Sequence, residues 1–130
     1  RVSRLLFLTL PVTDLARSTA FFTSLGFRVD PEPSDADVAC VLANDGACAN
    51  LMRRETFATF HQRSTAVPGA PVEVLVAVLV DSRREVDYIC RSAFEAGATP
   101  SLPPSDQGFV YTWSFTDLDG HVWELMSAEG

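Results

Sequence analysis

Apolar residues recur along this chain in two rhythms: short runs with the reach of strands, and two stretches with helical spacing. Leu5 to Val12 is an apolar run interrupted by Thr9 and ended by Pro11, and it reads as a buried strand. Asp14 stands where a helix N-cap belongs, Leu15, Phe22 and Leu25 mark an amphipathic stripe, and Gly26 stops it. Phe27 to Asp30 continues as a strand, and the two prolines of Pro31-Glu32-Pro33-Ser34-Asp35 make the next segment a loop. Val38 to Leu42 and Ala47 to Met52 are two further strands joined by Asn44-Asp45-Gly46, a hairpin signal. The first half therefore reads β-α-β-β-β.

Phe57 to Pro71 has no sustained period and reads as a connector, with a short helical turn around Phe57 to His61. The order then repeats. Val72 to Val80 is a Val-rich strand. Ser82-Arg83-Arg84-Glu85 is a capping box that opens a helix with Val86, Ile89, Cys90 and Ala93 on its buried stripe. Ala96-Gly97-Ala98 ends it, and a short strand follows at Thr99 to Leu102, then a loop with Pro103-Pro104 and Gly108. Phe109 to Phe115 and Val122 to Met126 form a last hairpin around Asp117-Leu118-Asp119-Gly120, in which Asp bonds nearby backbone and Gly supplies positive φ.

The halves also match residue by residue. Asp45-Gly46 through Leu51-Met52 aligns with Asp119-Gly120 through Leu125-Met126, and Leu25-Gly26-Phe27 with Ala96-Gly97-Ala98. The offset of about 70 residues marks a duplicated supersecondary unit and not a solenoid. The expected fold is α+β: residues 1–130 as one domain, with a first βαβββ module over 1–56, a connector over 57–71 and a second module over 72–130. Each module would be a sheet with its helix on one face, and the two curved sheets would leave an open, barrel-like trough.

Strand alternation assigns side chains to faces. Phe109, Tyr111, Trp113 and Phe115 belong against the helix, with Trp123 and Leu125. Val110, Thr112 and Ser114 face the trough with Val122, Glu124 and Met126. By the repeat, Cys48, Asn50 and Met52 line the first half, and Asn50 is the counterpart of Glu124.

Composition narrows the classes. With 130 residues, 47% hydrophobic and 21% charged, the chain is long and apolar enough for a substantial core. Net charge is −7 and every basic residue is Arg, without a basic cluster, so no nucleic-acid partner is expected. The early apolar run is too short to span a bilayer and lacks the form of a signal peptide, so a cytoplasmic protein with no membrane partner is expected. Cys40, Cys48 and Cys90 are odd in number, lack zinc-like spacing and sit among apolar residues, and so read as small buried free thiols. His121 reads as a structural residue at the hairpin rim, His61 as a connector residue, and Arg53, Arg54 and Glu55 as a solvated strand end.

Two segments carry a family resemblance. Leu10-Pro11-Val12-Thr13-Asp14-Leu15-Ala16-Arg17-Ser18, then Phe21-Phe22 and Leu25-Gly26-Phe27, is similar to the first-module signature of the vicinal oxygen chelate superfamily. That superfamily includes glyoxalase I, extradiol dioxygenases, fosfomycin-modifying enzymes and bleomycin-binding proteins. Asp117-Leu118-Asp119-Gly120-His121 followed by Trp123-Glu124-Leu125 is similar to its closing signature. Leu118 stands where the family usually has Pro, and Phe22 where it usually has Tyr. The resemblance spans all but the connector; it speaks for the fold and leaves the chemistry open.

The resemblance implies a divalent ion held by four residues, His, Gln or Glu, one from the first and one from the last strand of each module. Carried over, those positions are Phe7, Asn50, Leu75 (Val74 if the register slips by one) and Glu124. Phe, Leu and Val cannot ligate, and an Asn carbonyl is a poor ligand for Zn, Ni, Fe or Mn. No metal site and no cofactor are therefore expected, a divalent metal being the minority alternative.

The expected function is that of a glyoxalase/bleomycin-resistance-like protein whose trough takes a small apolar or aromatic molecule. Phe7, Asn50, Met52, Leu75, Val110, Thr112, Ser114, Glu124 and Met126 line it, a mostly apolar wall with a few polar groups. Glu124 is the candidate catalytic residue if the protein is an enzyme. The alternative is a metal-dependent enzyme, either a dioxygenase or a lyase or isomerase resembling glyoxalase I (lactoylglutathione lyase). Homodimerisation is what the resemblance implies.

Overall fold

The computed structural model describes residues 4–30, 35–43 and 46–128. Packing divides the chain into two units, residues 1–66 and 67–130. The expected loop at Pro31 to Ser34 and the turn residues Asn44 and Asp45 lie outside the described residues.

The first unit contains strand β1 (Leu6–Val12), helix α1 (Leu15–Ser24), strands β2 (Val38–Ala43) and β3 (Ala47–Arg53), and a short helix α2 (Arg54–Phe57) that runs into a 3-10 turn at Ala58–Phe60. The strand order is β1-β3-β2, with β1 parallel and β2 antiparallel to β3. Asp14 caps α1 by accepting from Arg17 N–H at 3.0 Å. At the other end Gly26 N–H bonds Thr23 C=O and Phe27 N–H bonds Phe22 C=O, a Schellman closure with Gly26 at φ 92°. The Phe27 ring stacks on Phe22 at 5.7 Å, the apolar contact that accompanies this motif. The core gathers Leu10, Val12, Phe21, Phe22, Leu25, Val41 and Leu51.

Four expectations for this half change. Phe27 to Asp30 is not a strand: Phe27 is drawn into the helix cap, and only Asp30 bridges to Cys40. Pro11 lies inside β1, because β1 stands at the end of the strand order, where a missing N–H breaks no central ladder. The N-terminal part of β1 is not buried, since Leu5, Leu6 and Phe7 are exposed. An apolar run signals a strand, but burial needs a layer above it, and the core lies at the level of Leu10 and Val12. The helical turn in the connector also starts earlier than expected, at Arg54.

The second unit contains β4 (Leu75–Val80), α3 (Arg83–Glu95), β5 (Thr99–Pro100), β6 (Ser105–Asp106), β7 (Tyr111–Thr116) and β8 (Val122–Ser127). The order is β4-β8-β7-β5, with β6 also on β7; β4 is parallel to β8 and the other pairs are antiparallel. Ser82 Oγ accepts from Glu85 N–H at 3.1 Å, one half of the expected capping box. Val86, Ile89, Cys90 and Ala93 are the buried stripe of α3, as their spacing requires. The same Schellman closure recurs at Gly97, through Gly97 N–H to Phe94 C=O and Ala98 N–H to Ala93 C=O. The duplication read from sequence thus reaches the level of individual helix caps.

Here β4 begins at Leu75 and not at Val72, the strand after α3 is only two residues, and β6 is an addition. Phe109 does not join the aromatic face; it is 74% exposed, outside β7. Gly108 at φ 88° and the bond from Gln107 N–H to Val110 C=O turn the chain just before the strand begins. The fold is α+β, with the helices and two sheets of the expected repeat.

Candidate functional site

Each unit has one sheet face packed on its helix and one that is not. In the second unit the packed face is unambiguous. Trp123, Leu125 and Phe115 are fully buried. Trp113 meets Phe94 of α3 at 5.6 Å, and Tyr111 Oη donates to Asp87 Oδ1 of α3 at 2.5 Å. Arg83 lies 4.1 Å over the Tyr111 ring and pairs with Asp106 at 2.6 Å. Burial first, and then the bond to Asp87, hold the Tyr111 hydroxyl above its ordinary pKa. This Arg83–Tyr111–Asp87 group, invisible in the sequence because Tyr111 lies 24 residues from Asp87, ties α3 to the β6–β7 edge.

The other face of this sheet carries the expected site residues. Register pairs Ser114 with Glu124, Thr112 with Met126, Ala77 with Glu124 and Leu75 with Val122. Leu75, Ala77 and Leu79 therefore share a face with Val122, Glu124, Met126, Thr112 and Ser114. Leu75 is 62% exposed and Leu79 68%, while Glu124, Met126 and Thr112 are half-buried. Ser114 Oγ accepts from Leu102 N–H at 3.0 Å, so it anchors the loop after β5 as well as lying on this face. Val110 precedes β7 and has no place in the ladder.

In the first unit β1 pairs Phe7 with Cys48, Thr9 with Asn50 and Pro11 with Met52. Phe7, Cys48, Asn50 and Met52 share a face; Phe7 is 56% exposed and Asn50 is buried. Phe7 and Leu75 are equivalent positions: each lies two residues before the partner of Asn50 or Glu124, and Val74 lies outside β4. The four positions implied for a metal thus hold a phenyl ring and an amide on one unit, and an isobutyl group and a carboxylate on the other. That donor set does not fit a divalent ion such as Zn, Ni, Fe or Mn. Among the described residues no group of three or more His, Cys, Asp or Glu is placed to hold a metal.

The cysteines depart from expectation. Cys40 and Cys48 are paired as a disulfide, with Cα atoms 6.4 Å apart, and only Cys90 is a free thiol. In the ladder Cys40 faces Asn50 and not Cys48, and the register shifts between Cys40 and Leu42, so the two cysteines are diagonal neighbours on adjacent strands. Two Cys on successive antiparallel strands were the available signal, and a contact made off the paired positions is not written in either strand alone. Cys90 is buried in α3, and burial pushes its thiol up to about 12.

The closing hairpin is organised by Asp117. Its Oδ1 accepts from Asp119 N–H and His121 N–H, both at 2.9 Å, and its Oδ2 accepts from Trp123 Nε1 at 2.9 Å. Burial raises the Asp117 carboxyl above its ordinary pKa, against His121 and these donors, which pull the other way. His61 is held within the connector. Arg63 N–H donates to Nδ1 at 3.0 Å, so Nε2 carries the proton towards Thr65 Oγ1, also at 3.0 Å. Arg54, read as solvated, binds the Ala66 and Thr65 carbonyls.

Structural comparison gives the same picture of the fold. The hypothetical protein SA1046 from S. aureus superposes with a TM-score of 0.79 at 27% identity, over 93% of this chain and 91% of that one. A glyoxalase/bleomycin resistance protein/dioxygenase family enzyme from Burkholderia phytofirmans PsJN gives 0.77 at 20% identity, over 97% and 99%. The fosfomycin resistance protein FosX from Mesorhizobium loti gives 0.63 at 19% identity, over 98% and 91%. Compared by sequence with curated proteins, the chain matches none. The family model for this fold matches residues 4–125, from β1 through the Asp117 turn to Leu125 on β8. With both signature segments inside that match, the chain belongs to the Glyoxalase/Bleomycin resistance protein/Dioxygenase superfamily.

Proposed function

We propose that this protein binds a small apolar or aromatic molecule against the uncovered sheet faces, without the family's usual metal centre. The observation that carries the reading is the make-up of the β4–β8–β7 face. A single carboxylate, Glu124, shares a face with Leu75, Leu79, Val122 and Met126, with Ser114 opposite it in the ladder and Thr112 opposite Met126. Apolar surface supplies affinity, and a few fixed polar groups supply orientation. With a net charge of −7, a ligand bearing a cationic group suits the carboxylate better than an anion. Sequestration of an antibiotic is one form of this function, and a structural relative bears the name of a fosfomycin resistance protein. On this reading Phe7, Asn50 and Met52 serve the same purpose on the first unit. Cytoplasmic location, a homodimeric state and the module boundaries 1–56, 57–71 and 72–130 belong to the same proposal.

A thermal-shift screen of aromatic amines and their neutral analogues tests it, with elemental analysis of protein purified without chelator or tag-bound metal. The expected result is stabilisation by an aromatic amine, with affinity reduced about tenfold in Glu124→Gln, the effect of removing one charged hydrogen bond of about 1.5 kcal/mol. A full equivalent of Ni, Zn or Fe would overturn the reading and favour a metal-dependent lyase, isomerase or dioxygenase with Glu124 as the surviving ligand.

A further inference from the structure

Strands β5 and β6 both pair with β7, and the chain between them does not fit the ladder. Pro100 pairs with Phe115 and Ser105 with Thr112, so Ser101, Leu102, Pro103 and Pro104 stand where β7 offers only Trp113 and Ser114. The surplus leaves the plane of the sheet. Ser114 sets its direction. This side chain lies on the Glu124 face, is only 6% exposed, and accepts from Leu102 N–H at 3.0 Å. The surplus segment is thereby drawn towards the open face, next to Glu124. Pro103 and Pro104 have no N–H with which to rejoin the ladder, and each holds the residue before it to extended backbone. The far end is fixed as well: Asp106 accepts from Arg83 of α3 at 2.6 Å and from Gly108 N–H at 2.9 Å. Held at Leu102 and at Asp106, the segment still shows apolar surface to solvent. Leu102 is 70% exposed, and both prolines are exposed.

We propose that residues 101–104 form a preset wall of the ligand site on the β4–β8–β7 face, with Leu102 as its specificity-determining residue. Ser114 is a positioning residue: it holds the wall and does not touch the ligand. The ligand class follows from the spacing. Ser114 and Glu124 are direct cross-strand partners, an arrangement that sets Cβ atoms about 5 Å apart, and the Leu102 backbone is bonded to Ser114. An ammonium group on Glu124 and an aromatic ring against Leu102 are then joined by a short link, so the molecules that fit are arylalkylamines with a two-carbon spacer. The ring gains by leaving water against Leu102. A wall fixed in advance costs little ordering when the ligand arrives. This inference rests on the binding function proposed above and adds which segment selects the ligand and how long that ligand is.

Two measurements test it, the first without ligand. Amide hydrogen exchange at Leu102 should be slow in the wild type and about tenfold faster in Ser114→Ala, which removes the acceptor, while the amides of Phe115 and Leu125 keep their protection. In the second, 2-(1-naphthyl)ethylamine is titrated into ¹⁵N-labelled protein. The Leu102 and Glu124 amides should shift together and saturate, and Leu102→Ala, at an exposed position, should weaken binding about fivefold. If Ser114→Ala fails to fold, wild-type exchange and Leu102→Ala decide. Unprotected Leu102 in the wild type would overturn the wall. So would an affinity that Leu102→Ala leaves unchanged while Glu124→Gln lowers it, a result that keeps the binding reading. No saturable binding to the wild type at millimolar amine would overturn both.

Discussion

Asp117 is one residue whose role depends on three donors converging on a buried carboxylate. Two of them are backbone N–H groups of its own turn, the kind of contact an Asp-x-Asp-Gly sequence announces. The third, Trp123 Nε1, comes from the next strand and appears only when the hairpin closes. Asp117→Asn replaces one carboxylate oxygen with an N–H donor and leaves at least one of these groups unpaired. Its expected cost is about 2 kcal/mol, read from urea unfolding at neutral pH. The pH dependence has a definite sign. The folded Asp117 carboxyl lies above its ordinary value of 3.8, with burial the main cause. Its contribution is therefore fully present below the unfolded value and is lost as pH rises through the folded value. Unfolding free energies measured across this acid range should show the wild-type advantage over Asp117→Asn shrinking as pH rises. An advantage that grows instead would mean that the hydrogen bonds outweigh desolvation.

At the scale of elements, α1 and α3 were legible because their ends are written in local chemistry. Asp14 and Ser82 cap through their own side chains, and Gly26 and Gly97 close through positive φ. Strand limits were less legible, because pairing is decided by a neighbour elsewhere in the chain. Val72 to Val74 read as strand from their side chains, but the ladder with β8 begins at Leu75. Phe109 fits the alternation of β7 and is still excluded from it by the Gly108 turn. The β7–β8 turn adds a close contact that the sequence conceals. Gly120 has φ 90°, and a Cβ there would meet Gly69 N at 3.3 Å and Pro68 Cα at 3.4 Å. Gly120→Ala should therefore cost about 1–2 kcal/mol through backbone strain alone in the same denaturant titration, with the contact adding to it.

For the whole molecule, the exposed apolar side chains carry the main expectation. Leu6 and Phe7 on β1 and Leu75 and Leu79 on β4 are all more than half exposed, on strands at the ends of their sheets. Apolar surface of this kind marks a binding or association site. A dimer is expected in sedimentation at micromolar concentration, and Phe7→Asp or Leu75→Asp should shift it towards monomer with the circular dichroism unchanged. Monomeric wild-type protein at those concentrations would refute this. Among the described residues no helix is long and apolar enough to cross a membrane.

The sequence by itself determined the duplicated α+β plan, α1 and α3 with their caps, the closing Asp-Gly hairpin and the family. Each of these is encoded by residues close together in the chain: a period, a cap, a turn. Alternation also placed Tyr111, Trp113 and Phe115 against α3 and Glu124 on the opposite face, because a strand's two faces follow from parity alone. Only the tertiary structure decided that Cys40 meets Cys48, that Tyr111 joins Asp87 and Arg83, and that Phe7 and Leu75 stand exposed. A contact made off the paired positions of a ladder is recorded by no local pattern, and burial depends on what packs above a strand and not on the strand itself.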